Sequence, residues 1–360
     1  LTEEELPMPG LYFDESVGKY VVTHSMIKAF RRCPRQTMYK QVERLKPRVL
    51  TKPLKRGTWM HYLLEEHHAG RDWQKMHQAL STKYDEMFDE EKAEYGDLPT
   101  ECKQLMESYI WHYANDPWNV LETEFTLEAE FPDGTLYRGK IDALVENQFG
   151  LWIVDHKTHG VFPDRAFRIL DAQSALYIWA AKRMGMDIQG FQWNYLKTKA
   201  PSKPTLLKDG SRLSKRMGET DYLTYTREIQ KLKRERGYRI TKADVLMANR
   251  LKAQRYVPGE PQLSEFFRRD ILEKDDAMLK RVASEAYHTA KRMANYPFHQ
   301  RDIVERNTDD RGCRYMCSYT DLCTVELVGG NTRPLMKNYK VGDPQDYYQD
   351  RAGELRGSNA

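Results

Sequence analysis

The sequence has 360 residues, of which 40% are apolar and 31% charged, and its formal net charge is +4. That balance excludes a globally disordered chain and leaves room for one large domain or two ordinary ones. No apolar run approaches the ~20 residues of a membrane span, the acidic start LTEEELPMPG lacks the apolar core of a signal peptide, and five cysteines, an odd number, argue against a disulfide framework. The expectation is a cytoplasmic protein with no membrane partner.

Residues 1–22 read as an N-terminal arm. THSMIKAFRRCPRQTMYKQVERLKP predicts two helices, with Ser25 as N-cap of the first and Pro34 at the first position of the second, where its missing N–H does no harm. LKRGTWMHYLLEEHHAG is a third helix stopped by Gly70. Residues 72–116 are polar and helical and are read as two amphipathic helices. The period then changes. LETEFTLEAEF alternates at period two, which predicts a strand; PDG is a turn, TLYRGKIDALVEN a second strand, QFG a second turn and LWIVDHK a third strand. DAQSALYIWAAKRMG is a helix ending at Gly185, and GFQWNYLKT a fourth strand.

Side chains alternate along a strand, so Asp155 and Lys157 project to one face and His156 to the other. The hairpin turning near Asn147–Gly150 brings Asp142 of the neighbouring strand within a few residues of Asp155. Two such carboxylates, with the backbone carbonyl of His156, suit a hard divalent cation, and Lys157 beside it could orient or deprotonate a water and offset charge on a phosphate. A bare Asp-x-Lys at a strand end is more often an exposed ion pair; here its company decides.

Asp142, Asp155 and Lys157 together resemble the core of the PD-(D/E)XK nuclease superfamily, and GKIDALVENQFGLWIVDHKT is similar to the RecB-type signature. Gln173-Ser-Ala-Leu-Tyr177 is similar to that family's Q-x-x-x-Y, at an i, i+4 spacing that puts both polar groups on one helix face. Gly57-Thr-Trp-Met-His61 is similar to its G-x-x-x-H. The resemblance covers residues 23–197 and 300–325. It implies an α/β fold: a mixed sheet flanked by helices, with a helical insertion and a C-terminal iron–sulfur element. It also implies Mg²⁺ or Mn²⁺ held by Asp142, Asp155, the His156 carbonyl and His61, with Lys157 positioning water and Gln173 and Tyr177 contacting Lys157 or the DNA backbone. Glu124, on the preceding strand, is a candidate partner behind those ligands.

Cys313, Cys317 and Cys323 lie within eleven residues and read as metal ligands in need of a fourth, which Cys33 could supply. SMIKAFRRCPRQ resembles the N-terminal element of RecB-type nucleases that hold a [4Fe–4S] cluster on one N-terminal and three C-terminal cysteines. The spacing Cys-x3-Cys-x5-Cys has one residue more than is usual there, and zinc is the rival metal. Cys102 is read as an ordinary cysteine.

Residues 197–239 hold thirteen Lys and Arg against five Asp and Glu, so the basic excess is concentrated there. Such a stretch suits salt-sensitive phosphate binding, with a loop over the substrate backed by a basic helix. Trp193, Tyr195 and Tyr222 are candidates for stacking on unpaired bases, although strand packing explains Trp193 and Tyr195 equally well. The expected organisation is an arm (1–22), a nuclease core (23–197), a basic helical insertion (198–298), a cysteine element (299–327) and a tail (328–360). No G-x4-G-K-[ST] is present, so a helicase motor would have to come from a partner. The expected activity is a Mg²⁺- or Mn²⁺-dependent DNA exonuclease acting on single-stranded or duplex ends, as in phage recombination beside a single-strand-annealing protein, in a bacterial or phage-infected cell. A CRISPR spacer-processing nuclease and a non-catalytic iron–sulfur DNA-binding subunit are the alternatives.

Overall fold

The computed structural model of the chain describes residues 8, 10–207, 213, 219–343 and 355. In chain order, β1 (Tyr12–Asp14) and β2 (Lys19–Val22) form a hairpin, so the stretch read as an arm already contributes strands. α1 (His24–Arg32) is capped by the Thr23 side chain, which accepts from the Met26 N–H at 3.2 Å. The cap is therefore two residues earlier than expected, and Ser25 lies inside the first turn. α2 (Pro34–Thr37) starts at Pro34 as read and runs on into a π-helical turn, Met38–Val42.

After β3 (Leu45–Pro47), α3 (Lys52–His68) ends just before Gly70, whose φ of +69° suits glycine. The region read as two helices holds three: α4 (Trp73–Asp85), α5 (Asp89–Tyr95) and α6 (Leu98–His112). The additional break falls at Gly96 (φ +57°), after which Asp97 caps α6.

The meander follows as β4 (Asn119–Glu130), β5 (Leu136–Asn147) and β6 (Gly150–His159), then α7 (Ala172–Arg183) capped by Asp171, and β7 (Ile188–Lys197). Beyond it come α8 (Tyr222–Arg236), α9 (Lys242–Lys252), β8 (Phe267–Leu272), α10 (Asp276–Ala294), α11 (Thr320–Leu327), α12 (Arg333–Met336) and β9 (Tyr339–Val341). No helix among the described residues is long and apolar enough to cross a membrane.

The main sheet has seven strands in the order β1-β2-β5-β6-β7-β8, with β4 also paired to β5. It is mixed: β6 and β7 run parallel, while β4–β5, β5–β6 and β7–β8 are antiparallel. Both faces are covered, and successive residues of β6 show it. Ile153 joins the core with α1, α7 and α10, whereas Trp152 and Val154 face the opposite side. α3, α4 and α6 pack there around Trp59, Leu63 and Tyr109. A strand buried on both faces reads as a continuous apolar run, which is what LWIV is.

Two boundaries shift. Residues 198–298 are not all insertion: β8 completes the sheet and α10 packs on α7 and α1. What stands apart is α8 and α9, which share a satellite core of Tyr225, Ile229, Leu232, Tyr238 and Leu251. The basic loop expected over the substrate falls partly outside the described residues, at 208–212 and 214–218. The stretch read as a tail contributes β9, which pairs antiparallel with β3.

Candidate active site

The β5–β6 ladder runs from Asn147↔Gly150 to Ala143↔Val154, and one step further sets Asp142 beside Asp155. On the other side of β5, Thr123↔Ala143 and Phe125↔Ile141 bracket Glu124 opposite Asp142. Three neighbouring strands thus present Glu124, Asp142 and Asp155 in one transverse row. α3 crosses this row and brings His61 Nδ1 to 3.2 Å from Asp142 Oδ1. It can approach because residue 57 is glycine: a Cβ there would lie 3.3 Å from Thr158 Oγ1.

Each member is held by named partners. Asp142 also accepts from the His156 backbone N–H. Asp155, 2% exposed, is paired with the Lys157 ammonium and accepts from Gln173 Nε2 at 2.8 Å. Gln173 Nε2 also reaches the Tyr177 hydroxyl at 3.1 Å. The i, i+4 pair on α7 therefore meets at this site, with Gln173 on Asp155 rather than on Lys157. Tyr177 lies across Gly139, where a Cβ would come within 2.5 Å of its ring, so the glycine three residues before Asp142 makes room for that side chain.

The His156 ring turns away from the row. It bonds Asn194 Nδ2 at 2.8 Å and stacks on His68, with centroids 5.2 Å apart and planes at 15°. Trp193 and Tyr195 are buried in the core and cannot offer faces to bases, so strand packing is the alternative that holds for them; Tyr222 stacks on Trp111.

The electrostatics separate the two aspartates. Burial pushes the Asp155 carboxyl up to about 7 against the pull of Lys157, and the Asp142 charge adds to the rise. Asp142 moves the other way: burial opposes ionisation, but His61, His156 and Lys157 outweigh it. Lys157 is raised, burial being overcome by Asp155 and Asp142. Glu124 is raised by burial and by Asp142.

Among the described residues, His61, Glu124 and Asp142 form the one group of three metal-ligating side chains whose donor atoms all lie within 4.8 Å of one another. One imidazole and two carboxylates, with a third carboxylate next in the row, fit Mg²⁺ or Mn²⁺. A model for the PD-(D/E)XK nuclease superfamily matches residues 21–324.

The chain belongs to the PD-(D/E)XK nuclease superfamily.

Members of this superfamily generally use divalent metals and act on DNA. No curated protein matches the sequence. Among solved structures, the crystal structure of SSO0001 is similar at 12% identity and a TM-score of 0.29, covering 84% of this chain and 85% of that one. A likeness that loose carries no argument.

Within this row, Glu124 is the residue that the sequence placed only behind the expected ligands. Its φ of +56° is one of two positive values outside glycine among the described residues.

The four cysteines are a separate matter. The N- and C-terminal segments that carry them meet: Arg35 N–H donates to the Glu305 carbonyl at 3.0 Å, Arg32 reaches the Met316 carbonyl at 3.3 Å, and Tyr319 OH the Leu45 carbonyl at 2.7 Å. Cys33 and Cys313 lie near enough to Cys317 to add to the rise that burial imposes on its thiol. The four thiols do not, however, form a group at the 4.8 Å mutual spacing of a one-ion site.

Proposed function

We propose that the protein is a Mg²⁺- or Mn²⁺-dependent deoxyribonuclease that hydrolyses phosphodiester bonds. The observation carrying this reading is the transverse row Glu124–Asp142–Asp155, flanked by His61 on one side and by Lys157 and Gln173 on the other.

Asp142, Asp155, Glu124, His61 and the His156 carbonyl would hold the metal, which when bound would supply Lewis-acid polarisation of the phosphate and a more acidic water. The chain's own groups do the rest. Lys157, kept protonated by Asp155 and Asp142, offers an ammonium to the charge that grows on the phosphate and to the attacking water. Gln173 fixes the Asp155 carboxylate, and Tyr177 fixes Gln173. Burial of Asp155 and His156 keeps bulk water from screening these contacts. The exposed Lys231, Lys233, Arg234 and Arg236 of α8 supply sequence-independent attraction for DNA.

End-directed cleavage in recombination, in a phage-like setting and cytoplasmic, is the finer form of the proposal. The test is end-labelled DNA digested in Mg²⁺ and read for direction and product length. Lys157→Ala should lower the rate at least ~100-fold, on the scale of lost charge stabilisation, while DNA binding persists. Near wild-type cleavage by that variant would sink the mechanism.

We further propose that Cys33, Cys313, Cys317 and Cys323 hold a [4Fe–4S] cluster. A cubane spreads its thiolates over four irons, so its ligands need not reach the mutual spacing of a one-ion site. The meeting of the two cysteine-bearing segments supports a shared centre, and the absence of a 4.8 Å thiol group among the described residues favours a cubane over one zinc.

A further inference from the structure

At the start of α3, away from the carboxylate row, lies an open hollow of about 410 Å³ lined by Lys52, Arg56, Glu101, Thr198, Lys199 and Ala200. Three cations face one carboxylate there. Glu101 holds two of the cations: it accepts from Lys52 Nζ at 3.1 Å and is paired with Arg56. Lys199 pairs with Glu219 at 2.7 Å in an exposed contact that solvent screens.

Arg56 is the buried member. It is 8% exposed, and its Nε, like those of six other arginines among the described residues, has no hydrogen-bond partner. A buried guanidinium N–H without an acceptor is costly unless a ligand completes it. The first turn of α3 adds to the deficit, because the Thr51 side chain makes no capping bond to its amides.

The hollow is placed beside the chemistry. Arg56 precedes His61 by five residues on one helix, a rise of ~7.5 Å. Thr198 N–H donates to the His159 carbonyl at 3.1 Å, two residues beyond Lys157 and so ~7 Å along β6. Consecutive phosphates of one strand advance ~3.4 Å along a duplex axis. An anion in the hollow is then within a few phosphates of the row.

We propose that Lys52, Arg56, Thr198 and Lys199 form a phosphate subsite that grips the substrate strand a short step from the bond cleaved. The inference rests on the nuclease reading and gives it a register: the chain holds a second point of the same strand. The ligand is an internal phosphodiester or a terminal phosphate monoester.

The test compares full-length wild type with Lys52→Gln/Lys199→Gln and with Arg56→Lys, after thermal melts establish that each folds. Binding of short oligonucleotides is measured in Ca²⁺ across a salt series, with wild-type cleavage followed in Mg²⁺. The double variant should bind at least ~10-fold more weakly, and its log–log salt slope should shrink by ~0.7–0.9 for each phosphate no longer neutralised. Arg56→Lys, which keeps the charge, should lose less. If a terminal phosphate is the ligand, wild type prefers phosphorylated ends and the double variant does not. If an internal phosphodiester is, one uncharged methylphosphonate near the cut site weakens wild type but not the double variant. Unchanged affinity and slope in the double variant, with wild-type cleavage intact, overturns the subsite alone. A wild type that neither binds nor cuts DNA overturns both readings.

Discussion

Glu124 sits at φ +56° in the middle of a strand, a conformation that costs a side-chain-bearing residue ~1–3 kcal/mol. Its carboxylate is also raised by burial and by Asp142. Lys140 pairs with this carboxylate and, with His61, only partly offsets burial and the Asp142 charge, and a cation held by His61, Glu124 and Asp142 would offset them further. Glu124→Gln should therefore weaken Mn²⁺ binding at least ~10-fold, measured by calorimetric titration. Unchanged Mn²⁺ affinity would remove Glu124 from the ligand set. The residue was hard to read because Glu122, Glu124, Glu128 and Glu130 share one parity, so all four look like the wet side of a strand. Asp142, Asp155 and Lys157 were legible for the opposite reason. Charges embedded in apolar runs, thirteen and two positions apart, are anomalous within a short window, and a tight hairpin turns that spacing into adjacency.

At the scale of elements, α6 and β8 form a unit that nothing local announces. Arg269 of β8 is buried with its guanidinium 3.3 Å from the Trp118 ring centre and 3.8 Å from that of Tyr113, and it bonds both carboxylate oxygens of Asp116. Its partner lies 153 positions away, so Phe-Arg-Arg-Asp is absorbed into the helical insertion read from the sequence until the two meet. Beside it His112 packs on Phe267 with no partner for its Nε2. Burial, then Arg269 and Arg255, push His112 down to about 3. Unfolding frees it to take up a proton near its ordinary value of 6.5. The unfolded state then binds more protons between pH 6.5 and about 3, so this stability is complete above 6.5 and lost as pH falls through that window. His112→Phe should remove its share, ~1.4 kcal/mol per pH unit, seen as urea midpoints that fall less steeply from pH 6 to pH 5. Equal slopes in variant and wild type would show that His112 is already charged in the fold.

At the scale of the whole molecule, Cys33 and Cys313 are 280 positions apart, and a shared cluster would close that span. By analogy with a disulfide, such a link removes roughly 5 kcal/mol of freedom from the unfolded chain. Anaerobically purified protein should be brown, with roughly four irons per chain. Cys33→Ala should lose colour and folded yield; Cys102→Ala, buried among the α3 and α6 side chains, should keep its colour. Colourless wild-type protein carrying one zinc would end the iron–sulfur reading. The layered architecture was legible from the switch of period between helices and meander. The division into arm, insertion and tail was not, because β2, β8 and β9 are short and pair with distant strands.

The meeting of the two ends has a consequence for how the protein is made. Arg35 is buried at 2% exposure, and its acceptors, the Val304 carbonyl and Glu326, come from the far end of the chain. β3 likewise waits for β9. At ~5–20 residues per second, the ribosome needs roughly 15–60 s to travel from Leu45 to Tyr339. Throughout that interval the N-terminal helices carry a guanidinium whose resting place does not yet exist. A polypeptide cut short before residue 304 leaves Arg35 without these acceptors, so its first helices cannot reach their final packing until the far segment has been made.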